Sequence, residues 1–128
     1  MRAFSNEWIF AAFDEEPSFV TRPMFSGLAA YVFGRMMLVL VEPSKTGRWE
    51  WHGVLVCTDF DRQVAIQAEF PRLAPHDALK KWLYIDSHDE HFTTTITGVA
   101  GAIARNDERF GIEPGARRRS SARTRRVR

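Results

Sequence analysis

The chain contains a single cysteine, Cys57, so no intrachain disulfide can form and a disulfide-framed secreted scaffold is excluded. Cys57 ends the apolar run Gly53-Val54-Leu55-Val56, and nothing basic lies beside it to favour a thiolate. It is expected to be a buried strand residue rather than a redox nucleophile. Long hydrophobic runs are also missing. The longest, Leu28 to Val41, is broken by Gly34-Arg35 and falls short of the ~20 residues a membrane helix needs. Asn6, Glu7, Asp14, Glu15 and Glu16 interrupt the N-terminal segment, so no signal peptide is expected and the cytoplasm is the expected location. No phosphate loop, dinucleotide fingerprint, Ser-His-Asp or Cys-His arrangement is spelled out. The chain is therefore expected to be non-enzymatic, with no cofactor and no metal.

Acidic residues are missing from one stretch altogether. Residues 115–128 hold seven arginines (Arg117, Arg118, Arg119, Arg123, Arg125, Arg126, Arg128) and no Asp or Glu. The whole chain has 18 Lys plus Arg against 16 Asp plus Glu, a net +2. Without the tail, eleven bases face sixteen acids, so residues 1–114 carry −5 and the tail +7. With 45% hydrophobic and 12% aromatic residues the body suffices for one domain with a real core. A collagen, a coiled coil and a fully disordered chain are excluded.

Within that body, Ser5 to Phe13 is expected as a short helix with Ser5 as N-cap and Pro17 beyond its end. A meander of three strands follows. The first covers 21–25, with Pro23 suited to an edge; the second 28–33; then a tight connection at Gly34-Arg35; the third 36–42. A fourth strand is expected at about 51–57, then a helix capped by Thr58, with Asp59 and Asp61 in its first turn and an apolar stripe of Phe60, Val64 and Ala68. Residues 72–79 read as a loop and 81–85 as a fifth strand. A last helix is announced by the capping box Ser87-x-x-Glu90 and by Phe92, Ile96, Val99 and Ile103 at +4, +3 and +4. Helices and strands mix without strict alternation, which favours α+β.

The segment Arg22-Pro23-Met24-Phe25-Ser26-Gly27, followed by Tyr31 and Gly34-Arg35-Met36, resembles the N-terminal domain of the TfoX family of competence regulators. That family shows Arg, then Lys or Pro, then Met-Phe-Gly-Gly, so Ser26 replaces its first glycine. Trp82-Leu83-Tyr84-Ile85, the stretch Ser87 to Phe92 and the closing Arg105 to Gly111 are similar to the same family's last strand and helix, and the likeness spans about residues 5–112. It implies a two-layer, secretion-chaperone-like sandwich in the order α-β-β-β-β-α-β-α, with residues 1–114 as the domain. It also implies a small regulatory or interaction protein without catalytic residues. The C-terminal helical domain of full-length TfoX proteins has no counterpart; a tail expected to be disordered, 115–128, stands in its place.

Several residues are candidates for contact. The guanidinium fork suits phosphate; seven tail contacts to nucleic acid would be sequence-nonspecific, with a log–log salt slope near about −6. The alternatives for the tail are a solvated segment, the acidic body, anionic lipid or an acidic partner. His88 and His91, at i and i+3, are better explained as first-turn polar residues than as half a metal site. Trp49 and Trp51, with Lys45 and Arg48 nearby, either close the end of the core or stack bases. Arg22 pairs with a carboxylate such as Asp86 or, with Tyr31, binds a small molecule or anion.

Self-association is the remaining expectation. Strands 28–33 and 36–41 have no polar face, so a helix, a loop or another subunit must cover the second side. On the last helix Thr94, Thr97, Gly98 and Gly101 lie opposite the apolar stripe and permit close approach of another backbone. They are the candidate interface of a homodimer.

Overall fold

The computed structural model describes residues 4–24, 27–43 and 51–113. Phe25 and Ser26 of the family-like motif, the basic loop with Lys45, Arg48 and Trp49, the boundary at 114 and the whole arginine tail lie outside the described residues. The element order is a 3-10 helix η1 (Glu7–Phe13), strands β1 (Val20–Met24), β2 (Gly27–Val32), β3 (Arg35–Val41) and β4 (Gly53–Val56), helix α1 (Phe60–Glu69), strands β5 (Ala74–Pro75) and β6 (Leu83–Asp86), and helix α2 (Phe92–Ala104). The fold is α+β, as expected. Its six strands form one sheet in the order β1-β2-β3-β4-β6-β5, with every pairing antiparallel.

The apolar meander explains the sheet. In β3, Met36 to Val41 are all buried, so the strand is covered on both sides and shows no alternation of polarity. Pairing with β2 passes from Ala30–Leu38 to Tyr31–Met36. Met37 is thus the extra residue of a bulge, and Met37 and Leu38 both belong to the core under the helices. Exposed β1 is an edge strand, which tolerates Pro23 because no neighbour needs its missing N–H. A Cβ on Gly27 would stand 2.0 Å from the Leu40 carbonyl oxygen, so only glycine lets β2 approach β3 there. The β2–β3 turn sits one residue earlier than expected. Phe33 and Gly34 (φ 56° and 76°) make it, both left-handed as a two-residue hairpin loop of type I′ requires.

One side of the sheet carries all three helices. Ala30, Val32, Leu38, Leu40, Val54, Val56, Leu83 and Ile85 pack there against residues of η1, α1 and α2. The other side is apolar too, and the chain itself covers it. Ala29, Val39, Val41, Leu55 and Cys57 are buried beneath partly buried Tyr31, Trp51, Leu79, Trp82, Tyr84 and Ile112. That side gives no reason for a second subunit.

Five local expectations are corrected. The first helix is 3-10, with Asn6 before it making no cap bond; the Ser5 backbone N–H and hydroxyl donate instead to Glu42. Asp59, not Thr58, caps α1 by accepting from the Arg62 N–H, while Thr58 Oγ1 donates to the Arg109 carbonyl at 2.8 Å. The stripe Phe60, Val64, Ala68 faces outward, and α1 buries Gln63 and Ile66. The segment 72–79 contains the two-residue strand β5. No capping box starts α2: Ser87 accepts from Asn6 Nδ2, Glu90 is exposed, and the helix begins at Phe92. The apolar series of α2 is buried throughout, as its spacing predicts.

Candidate interaction surface

Between η1 and α2 the helical layer opens into an apolar groove of about 300 Å³, lined by Trp8, Ile9, Ala12, Thr97, Ala100 and Gly101. Sequence order dictates its form. In η1, Ile9, Phe10 and Phe13 turn to the core, leaving Trp8 and Ala12 at the margin. Trp8 rests edge-on against Phe92, with ring centroids 6.4 Å apart, and is 46% exposed. On α2 the small side chains keep the opposite wall low. An indole half in water beside an apolar hollow is the arrangement that interfaces bury.

Two of the four candidate interface residues, Thr97 and Gly101, line this groove. Thr94 is exposed on the same helix and is not part of the lining. Gly98 has a different explanation. A Cβ there would stand 2.8 Å from Cε1 of Phe70, so this glycine admits the chain's own ring, not another backbone. At Gly101 a Cβ would meet only Arg105 Nη1, at 3.5 Å.

A second cluster, which sequence spacing did not reveal, gathers at one end of the sheet. Ser5 Oγ lies 2.9 Å from Glu42 Oε2 and 3.2 Å from His52 Nε2. The His52 and His88 rings are 5.9 Å apart, and His88 Nδ1 is 2.9 Å from Asp86 Oδ1. Burial opposes ionisation of Asp86, but the His88 N–H and ring and the Tyr84 hydroxyl outweigh it and hold the carboxyl below its ordinary range. Ser, His and a carboxylate thus meet, yet not in the order nucleophilic catalysis requires. A triad acid holds the histidine Nδ1 so that Nε2 can take the serine proton. Here Nδ1 of His52 is buried without a hydrogen-bond partner among the described residues, and Glu42 shares the Nε2 side. The cluster fastens the start of η1 to the ends of β3 and β4. Its residues are 5, 42, 52 and 86–88 in sequence, joined only by strand register.

The remaining candidates are dispersed. Arg22 does not pair with Asp86: β1 and β6 are separated by three strands, and its guanidinium lies 5.7 Å over the Tyr31 ring. His88 and His91 contact separate carboxylates, Asp86 and Glu90, in the turns before α2. No group of His, Cys, Asp and Glu suited to a metal occurs among the described residues. Trp51 joins the second-side core and meets the His76 ring, centroids 3.9 Å apart. His76, 4% exposed, accepts from the Ala78 and Leu79 N–H groups at Nδ1, and burial holds its pKa down against the charge of Asp77. Burial pushes the Cys57 thiol far up, so it is inert, as expected. No helix among the described residues is long and apolar enough to cross a membrane. Comparison of the chain with protein-family models, curated proteins and solved structures yields no match.

Proposed function

We propose that the chain is a non-enzymatic interaction domain of the TfoX N-terminal kind, with the secretion-chaperone-like architecture that likeness implies. It acts in the cytoplasm, by protein–protein contact at the groove between η1 and α2. The observation that carries this reading is Trp8, nearly half in water at the lip of an apolar hollow. A homodimer through this face is part of the proposal. The seven tail arginines support a further, sequence-nonspecific contact with nucleic acid.

Benzoylphenylalanine placed at position 8 of the full chain in cells tests the groove. A discrete cross-linked species is expected there and not from the exposed position 77. Equal cross-linking at both positions, or none at position 8, contradicts the reading. For the tail, filter binding to nucleic acid at two salt concentrations should lose its salt-dependent component when residues 115–128 are removed. A second reading is favoured by Arg22, which has no carboxylate partner among the described residues and stacks over Tyr31 on the open edge strand. It assigns a small anionic ligand to that edge, and loss of ligand binding in Arg22→Gln checks it.

A further inference from the structure

Helix α1 turns all its apolar residues but Ile66 away from the core. At 100° per residue, Gln63, Ile66 and the following Phe70 share the buried side, and Phe60, Val64, Ala65 and Ala68 occupy the other. Phe60 is 59% and Val64 75% exposed, one turn apart, forming a ridge on the helix-bearing side of the sheet. Asp61 stands on this outward face and has no cation within ion-pair distance among the described residues. The groove beside Trp8 is the converse: concave where the ridge is convex, with Ile9, Ala12 and Ala100 in its lining. At its Gly101 end lies Arg105, exposed; its charge reaches Asp107, but no carboxylate of the described residues stands within ion-pair distance of it.

Ridge, groove, exposed acid and exposed base all belong to one chain and one side of it. We propose that the occupant of the groove is a second copy of the chain. Two helical layers meet about a two-fold axis, the Phe60–Val64 ridge of each copy seated in the Trp8–Gly101 groove of the other, with Asp61 of each facing Arg105 of its partner. A two-fold contact satisfies both ridges and both grooves at once, whereas a head-to-tail contact would leave one of each open and continue into a filament. The charge pair adds specificity, since a copy docked the wrong way round sets like charges together. This inference rests on the groove being an interaction surface.

Sedimentation equilibrium of the full chain tests it. The unsubstituted protein is expected to be a dimer. Phe60→Ser should raise the dimer dissociation constant by about 30-fold or more, as for a central aromatic anchor. Asp61→Arg and Arg105→Asp should each raise it by about tenfold, and the two together should return it to within about threefold of the parent. All these positions are exposed, so unchanged melting of the substituted chains at a dilution where the parent is itself monomeric separates lost contact from lost fold. A monomeric parent, a dimer indifferent to Phe60→Ser, or a double reversal no tighter than the single ones overturns the proposal. If Trp8→Ser dissociates the dimer while Phe60→Ser does not, the groove reading survives and the ridge is not its occupant. A monomeric chain that still cross-links from position 8 separates the two in the same way.

Discussion

Helices α1 and α2 lie on the same side of the sheet and follow opposite rules. In α2 the apolar residues Phe92, Ile96, Val99 and Ile103 face the core. In α1 the residues at the same kind of spacing, Phe60, Val64 and Ala68, face water, and a glutamine takes an inward place. The reason is the company each helix keeps. Gln63 Nε2 donates to the Lys80 and Lys81 carbonyls at 2.7 and 2.9 Å. Arg62 donates to the Glu108 and Gly111 carbonyls at 2.7 and 2.8 Å, and Arg109 joins Glu69 and Asp107. A polar side chain that reaches main-chain carbonyls of neighbouring segments can hold an inward position against an apolar rival. So α1 is fastened by these hydrogen bonds together with Ile66 and the following Phe70, which leaves its apolar stripe for another surface.

That contrast can be broken by substitution, with stability read by urea unfolding at a protein concentration where the chain is monomeric, because dimerisation is linked to folding. The largest effect belongs to α2: Ile96→Ala should cost about 3 kcal/mol or more, the result of emptying a fully buried site. On α1, Gln63→Leu should destabilise by about 1–2 kcal/mol, because two carbonyls lose their donor. A more stable Gln63→Leu protein would show that the hydrogen bonds do not set the orientation of α1.

The next effect depends on pH. His76 is held neutral by burial, its pKa below the ordinary 6.5. The unfolded chain therefore takes up the proton first, and stability falls as pH drops from about 6.5 toward the folded value. Asp59, Asp86 and Asp107 are held below the ordinary 3.8, so their contribution is lost only at lower pH. Two stages of acid destabilisation are expected. His76→Asn, which keeps an acceptor for the Ala78 and Leu79 N–H groups, should remove the first. Smaller again, Gly101→Ala should stabilise the fold by about 0.5–1 kcal/mol through helix propensity, since the added methyl meets only Arg105, while narrowing the groove. Val64→Ala should stay within about 0.5 kcal/mol, the counterpart of the loss at Ile96.

Where the sequence could be read, the reason was periodicity with a single solution. The meander, the edge proline and the buried face of α2 follow from strand composition, from the missing N–H of Pro23 and from the spacing of four large residues. The orientation of α1 was not legible, because the partners of Gln63 lie seventeen and eighteen residues away and no local rule announces them. The groove was half legible. The small residues of α2 marked Thr97 and Gly101, but the same rule included Gly98, whose space is filled by Phe70. Trp8 gave no signal, since the hollow beside it depends on how η1 packs against α2. The cluster at Ser5, Glu42, His52 and His88 depends on register across three strands.

The central claim is that the helical layer meets a second copy of the chain at Trp8. The most direct measurement is fluorine NMR of the full chain with its four tryptophans replaced by 5-fluorotryptophan, the Trp8 line being assigned by its loss in Trp8→Phe. Across a dilution series that line should shift while the Trp82 line, on the covered side of the sheet, stays in place. A Trp8 line that does not move with concentration, or one that moves only together with Trp82, would contradict the account.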